Sequence, residues 1–185
     1  MYEDHASAVS DEVRRTLEQV ESEQVKGLVD LILASRRIFV AGAGRSGLMV
    51  RAFAVRLMHM GFKVFVVGDV TTPAVGEGDV LLIGSGSGET RGLVLVAKEA
   101  AGCRARVGLL TAFPDSAISE LASCVVRIPA PTPKSKQESP TRSIQPMGSL
   151  FEQCLLIVLD IVVLMLMKRK GLSADRMFEQ HANLE

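Results

Sequence analysis

The sequence predicts an α/β fold built on a parallel sheet, and three observations carry that prediction. Short runs rich in Val, Ile and Leu recur along the chain and are nearly continuous in apolar character, the pattern of strands buried on both faces. Stretches with helical periodicity separate them, and alternating strands and helices imply βαβ units with right-handed crossovers. Two of the apolar runs flow straight into glycine–serine loops that open a helix. The first is Gly42-Ala-Gly44-Arg45-Ser46-Gly47, after residues 38–41; the second is Gly84-Ser85-Gly86-Ser87-Gly88-Glu89-Thr90, after residues 80–83. The resulting architecture is a five-stranded parallel sheet flanked by helices, a flavodoxin-like three-layer sandwich.

The elements follow in order. Residues 3–34 read as one long helix: Val9, Val13, Leu17 and Val20 form a single stripe with charges between. A strand at 38–41 and the first loop lead to a helix at 46–60, ended by Gly61. Strands at 63–67 and 79–83, the second loop, and a helix at 90–101 come next. A strand at 106–110, a short helix at 116–121 and a strand at 124–128 complete the sheet. From 129 to 147 the composition turns to Pro, Ser, Thr, Lys and Gln, and a loop that long is usually functional or mobile; it is expected to close over a ligand. A long helix starts near 148–149, Gly171 turns the chain, and a short helix begins near 174. The whole, 1–185, is expected to be a single domain, with the N-terminal helix 3–34 and the C-terminal helices 148–180 packed on it.

Residues 154–167, CLLIVLDIVVLMLM, are broken only by Asp160. The run is shorter than the roughly 20 residues of a membrane span. It reads as a helix buried in the domain or against another subunit, so no membrane is expected as partner and a homo-oligomer is.

Composition narrows the function. The 185 residues suffice for a substantial core. Lys+Arg and Asp+Glu are both 21, so there is no basic excess to favour nucleic acid, and without Trp there is little to stack bases on. Cys103, Cys124 and Cys154 show no CxxC spacing and read as free thiols in a reducing compartment. The three histidines are too scattered for a histidine-based metal site, and the acidic, polar N-terminus has no signal-peptide pattern.

The two loops point to an anion. Glycine lets the backbone approach closely, the N–H groups of a helix start face outward, and the helix dipole favours negative charge. The hydroxyls of Ser85, Ser87 and Thr90 add donors, which suggests a phosphate cradle at the carboxyl ends of the strands. Other readings stand beside this one. The first loop matches GxGxxG with Asp69 about 25 residues on, the dinucleotide fingerprint. Against it, the chain has no room for a second substrate domain, and a dinucleotide site does not require the second cradle. No Gly-Lys-Ser/Thr follows either loop, so neither is a P-loop. Both loops are also compatible with plain tight turns. Glu152, in the first turn of the last long helix, is either a helix-dipole partner or a partly desolvated general base. His59 suits a helix C-terminus, His181 a solvated tail, and Arg45 either a phosphate or hydroxyl ligand or a solvated turn.

The two loops, the stretch Ser143-Ile-Gln145-Pro146-Met147-Gly148-Ser149-Leu-Phe-Glu152-Gln153 and the tail His181-Ala-Asn-Leu-Glu185 closely resemble the 6-phospho-3-hexuloisomerase family, in the sugar isomerase (SIS) domain superfamily. The resemblance spans essentially the whole chain, with no departure at the motif positions. It implies the SIS-type five-stranded sheet and interconversion of D-arabino-3-hexulose 6-phosphate and fructose 6-phosphate through a cis-enediol. It implies a cytoplasmic, cofactor-free and metal-free homotetramer. Its functional partner would be 3-hexulose-6-phosphate synthase, in the ribulose monophosphate pathway of formaldehyde fixation. The resemblance places the sugar phosphate on Ser85, Gly86, Ser87, Gly88 and Thr90 of the Glu89-containing loop, and on Ser46 beside Gly44 and Arg45. It makes Glu152 the proton acceptor. The reaction also needs a group to move protons between the oxygens, a task that suits histidine near neutral pH and is expected of His181 or His59, from the same or a neighbouring subunit. A non-catalytic sugar-phosphate-binding SIS module is the rival expectation; it would need no base at Glu152.

Overall fold

The computed structural model describes residues 1–132 and 142–183. Part of the 129–147 loop and the end of the tail therefore lie outside the described residues, as does the expectation that this loop closes over a ligand.

Five parallel strands form the sheet: β1 (Ile38–Gly42), β2 (Val64–Val66), β3 (Val80–Gly84), β4 (Arg106–Thr111) and β5 (Cys124–Arg127), in the order β2-β1-β3-β4-β5. The alternation of side chains along each strand divides the core in two. Val40, Leu82, Leu110 and Val126 pack with residues of α2 (Ser22–Leu33), α3 (Gly44–His59) and α5 (Ser149–Lys170). Phe39, Leu81, Ile83 and Leu109 pack on the other face with Leu93, Ala97 and Ala100 of α4 (Arg91–Gly102). This is the three-layer arrangement that the apolar strands predict.

The long N-terminal helix expected at 3–34 is two helices, α1 (Tyr2–Leu17) and α2, separated at residues 18–21. Glu21 is extended, with φ −74 and ψ 119. The break has a packing cause: α1 lies against α5, whereas α2 lies against β5 and α5. A straight helix cannot serve both surfaces.

Glycine sets how closely β1 and α3 approach. A Cβ on Gly42 would stand 2.9 Å from the Gly47 Cα, and one on Gly47 would stand 2.8 Å from the Gly42 carbonyl oxygen. At the opposite end of the sheet, Asp79 is fully buried and takes hydrogen bonds from Arg37 (2.6 and 3.1 Å), Arg36 (3.3 Å) and the Gly76 N–H (2.9 Å). Burial pushes its carboxyl up, but those hydrogen bonds and the Arg37 charge outweigh it and hold the group below the usual aspartate range.

The apolar helix α5 has the length and composition of a membrane span, yet half of its most apolar window is buried inside this chain. It packs against α1, α2 and α3. Cys154 sits on its buried side, where desolvation pushes the thiol up to about 11 despite a hydrogen bond with Thr16. C-terminal to α5, Gly171 takes the left-handed conformation (φ 63) and α6 (Ala174–Phe178) follows.

Candidate active site

Adjacent β1 and β3 send their helices to opposite faces, α3 to one and α4 to the other. The strand order therefore opens a crevice beyond their carboxyl ends, where open α/β sheets bind ligands. A cavity of about 290 Å³ lies there. It brings together Gly44, Arg45 and Ser46 from the first loop; Ser85, Gly86, Ser87 and Thr90 from the second; and Gly148, Ser149 and Glu152 from the start of α5.

Three helices begin at this cavity, and none is capped by its own side chain. Ala43 is the N-cap of α3, Thr90 of α4 and Gly148 of α5, each without a side-chain capping hydrogen bond. The first N–H groups of a helix have no intrahelical acceptor, and each helix start carries roughly half a positive charge. Three such ends around one cavity give it the chemistry to take an anion. The hydroxyl of Ser85 adds to it. Its Oγ is buried and has no hydrogen-bond partner among the described residues. Such a group costs about 1–3 kcal/mol unless a ligand or water satisfies it.

The second loop is held from below. The Gly86 carbonyl accepts from the Ala112 N–H (3.1 Å) and from Thr111 Oγ1 (3.2 Å), and the Ser85 N–H donates to the Leu110 carbonyl (3.0 Å). Ser87 Oγ accepts from the Glu89 N–H at 3.2 Å, closing the turn. Gly88 has φ 64, and a Cβ there would overlap the Ser116 hydroxyl. Gly88 thus shapes the loop without lining the cavity.

The Glu152 carboxylate lines the same cavity, 17% exposed, with its Oε2 3.1 Å from Arg45 Nε. Arg45 also donates to Ser149 Oγ at 3.0 Å. The carboxylate is thus largely shielded from solvent and has a guanidinium as its partner. Arg45, foreseen as a phosphate or hydroxyl ligand, is in this structure the partner of Glu152.

Four of the expected site residues lie elsewhere. Gly88 is the first. Glu89 turns outward, and its carboxylate accepts from the Ala117 N–H at 2.7 Å. His59 ends α3, about 22 Å along the axis from Gly44 at 1.5 Å per residue. There it stacks on His181, with ring centroids 5.3 Å apart, and Arg56 meets its Nδ1 at 3.4 Å. Neither histidine lines the cavity of its own chain. Asp69, the acid of the dinucleotide fingerprint, is half-exposed and pairs with Arg51 at 2.9 Å, away from the cavity. Sequence reasoning did not single out Ser149, Thr132 or Phe151, which also line the cavity. Ser149 stands in the first turn of the same helix as Glu152, a signal that was available; Thr132 sits in a Pro-rich run with no pattern to mark it.

A model of the SIS domain family matches residues 31–157, a span that contains β1 to β5, both loops and Glu152. The chain belongs to the SIS domain family. It is 46% identical over 182 residues to the 3-hexulose-6-phosphate isomerase of Bacillus subtilis, covering 98% of each chain. To that of Mycobacterium gastri it is 46% identical over 179 residues, covering 97% of this chain and 89% of the relative. A solved structure from Methanococcus jannaschii, for which a molecular function of 3-hexulose-6-phosphate isomerase is inferred, superposes with a TM-score of 0.83. That protein is 32% identical, with 98% of this chain and 99% of that one covered.

Proposed function

We propose that this SIS protein is a sugar-phosphate isomerase that interconverts D-arabino-3-hexulose 6-phosphate and fructose 6-phosphate, the activity for which its near full-length relatives are named. One observation supports this reading above others: an anion cradle and a carboxylate face each other across one small cavity. The cradle of Ser85, Gly86, Ser87, Thr90 and Ser46 takes the phosphate. Glu152 then lies within reach of the middle of a six-carbon chain.

In the forward direction the carbonyl moves from C3 to C2. The Glu152 carboxylate takes the proton from C2, and the electron pair of that C–H bond forms the C2–C3 double bond of a cis-enediol as the C3 oxygen gains a proton. The C2 hydroxyl then loses its proton to become the new carbonyl, and Glu152 returns a proton to C3. No redox partner is needed. The Arg45 guanidinium, paired with Glu152 at 3.1 Å, is placed to hold the developing negative oxygen.

The oxygen protons need a second group, and histidine suits that task near neutral pH. Since His59 and His181 lie away from the cavity of their own chain, we assign this role to one of them from a neighbouring subunit. A homotetramer supplies that neighbour. Ile161 and Leu164 on α5, with Leu48, Val55 and Met58 on α3, are exposed apolar side chains that an interface covers. The working setting is the cytoplasm, with 3-hexulose-6-phosphate synthase providing the substrate. The test is a coupled assay: the synthase supplies hexulose phosphate and fructose 6-phosphate is detected. Conversion supports the proposal. Binding of fructose 6-phosphate without conversion would instead make the protein a sugar-phosphate-sensing module.

A further inference from the structure

Helix α1 lies outside the matched span 31–157 and contributes nothing to the cavity lining. Yet Glu12, half-buried on that helix, gathers three hydrogen bonds from the segment that leads into α5. Its carboxylate accepts from Ser143 Oγ (2.7 Å), the Ile144 N–H (2.8 Å) and Gln145 Nε2 (3.2 Å). Ser143 Oγ also accepts from the Gln145 N–H at 3.0 Å, closing the turn around the carboxylate. Burial opposes the charge on Glu12, but these bonds and the Arg15 charge outweigh it and hold the carboxyl below the usual range.

The next residues are the wall of the cavity. Pro146, Met147 and Gly148 all line it. Met147 has φ 56, a left-handed conformation that is strained for a non-glycine residue and persists only where its surroundings impose it. Met147 is 76% exposed, so its own packing does not impose that conformation. The anchor stands two residues earlier, at the bonds to Glu12. Downstream, the Ser149 N–H donates to the Pro146 carbonyl (3.2 Å) and the Glu152 N–H to the Gly148 carbonyl (3.0 Å). A continuous chain of contacts therefore runs from α1 to the backbone of Glu152.

We infer that Glu12 is a positioning residue for the isomerase: its carboxylate latches residues 143–145 to α1 and so fixes the backbone at 146–148 and the start of α5 from which Glu152 faces the substrate. The inference rests on the reading of this cavity as the isomerase site. Glu12 touches neither the cradle nor the reacting carbons. Its loss is therefore expected to lower kcat while leaving phosphate affinity intact.

The test compares Glu12→Ala, Glu12→Gln, Val13→Ala and Glu152→Gln in the full-length protein. Turnover, fructose 6-phosphate affinity and amide hydrogen exchange at 144–149 are measured for each. Glu12→Ala is expected to lose about 10- to 100-fold in kcat, the scale of a misplaced catalytic group. Its affinity should stay within about threefold and its 144–149 amides should exchange faster. Glu12→Gln keeps an acceptor oxygen and is expected to recover most of the turnover. Val13→Ala weakens the packing of the same helix and is expected to turn over near the parent rate. Parent turnover in Glu12→Ala while Glu152→Gln is inactive would overturn the latch alone. An equal loss in Val13→Ala would overturn it too, by making the effect one of general helix packing. Parent turnover in both Glu12→Ala and Glu152→Gln would remove the cavity reading and the latch together.

Discussion

Ser85→Ala separates binding from folding in a way few substitutions do. In most buried serines the hydroxyl has a protein partner, and its removal costs stability. Ser85 is 3% exposed, and its Oγ has no partner among the described residues. Folding therefore withdraws the hydroxyl from bulk water without a compensating protein bond, so Ser85→Ala is expected to leave stability unchanged or to raise it by up to about 1 kcal/mol. Binding should move the other way. A hydrogen bond to a charged group contributes about 1.5–3 kcal/mol, and at 1.4 kcal/mol per factor of ten its loss weakens phosphate binding about tenfold to about 150-fold. Ser87→Ala is the internal comparison. Ser87 Oγ accepts from the Glu89 N–H at 3.2 Å, so its removal should weaken binding and also cost about 1 kcal/mol of stability. Titration calorimetry with fructose 6-phosphate and urea denaturation read the two quantities. Unchanged affinity in Ser85→Ala, or a destabilisation well above 1 kcal/mol, would refute the assignment of that hydroxyl to the ligand.

Two further predictions concern the framework. Asp79→Ala leaves Arg37 and the Gly76 N–H without their buried acceptor and should cost about 3 kcal/mol in urea denaturation. Because the folded state holds the Asp79 carboxyl below its unfolded value, its contribution is present above about pH 3.9 and is lost as pH falls through the lower, folded value; Asp79→Ala should accordingly flatten the acid limb of the stability curve. Cys154, buried and pushed up to about 11, should stay unlabelled by a thiol reagent at pH 8 until the protein unfolds; labelling of Cys154 in the native protein would contradict the buried placement of α5.

Much of the fold was legible because its signals are local. The apolar strands, the glycine loops, Gly61 and Gly171 are read from neighbours in sequence, and each of the five strands stands within two residues of its expected ends. The helix break at 18–21 was not legible, because the Val9, Val13, Leu17, Val20 stripe runs through it without a glycine or proline. What bends the chain there is the separate demand of α5 and β5, which no local pattern records. The site divides the same way. The second loop is contiguous in sequence, and Ser85, Gly86, Ser87 and Thr90 from it do line the cavity. The Arg45–Glu152 pair joins two helix starts more than a hundred residues apart, and depends on the packing of α5 against α3. Glu89 carried the right chemistry in the right motif, but the left-handed Gly88 before it turns the chain outward. His59 was placed correctly at a helix end, yet that end is the one away from the cavity.

The central claim is that Glu152 moves the proton between C2 and C3, and deuterium incorporation tests it most directly. The parent enzyme, run on hexulose phosphate in heavy water, should deliver fructose 6-phosphate labelled at C3. Glu152→Gln keeps the size and shape of the side chain and removes its basicity. Its rate of label incorporation should fall roughly 100-fold or more, the usual scale for a lost acid–base group, with little change in fructose 6-phosphate affinity. Incorporation by Glu152→Gln at near the parent rate would reduce Glu152 to a partner of the α5 dipole and of Arg45, and contradict the account.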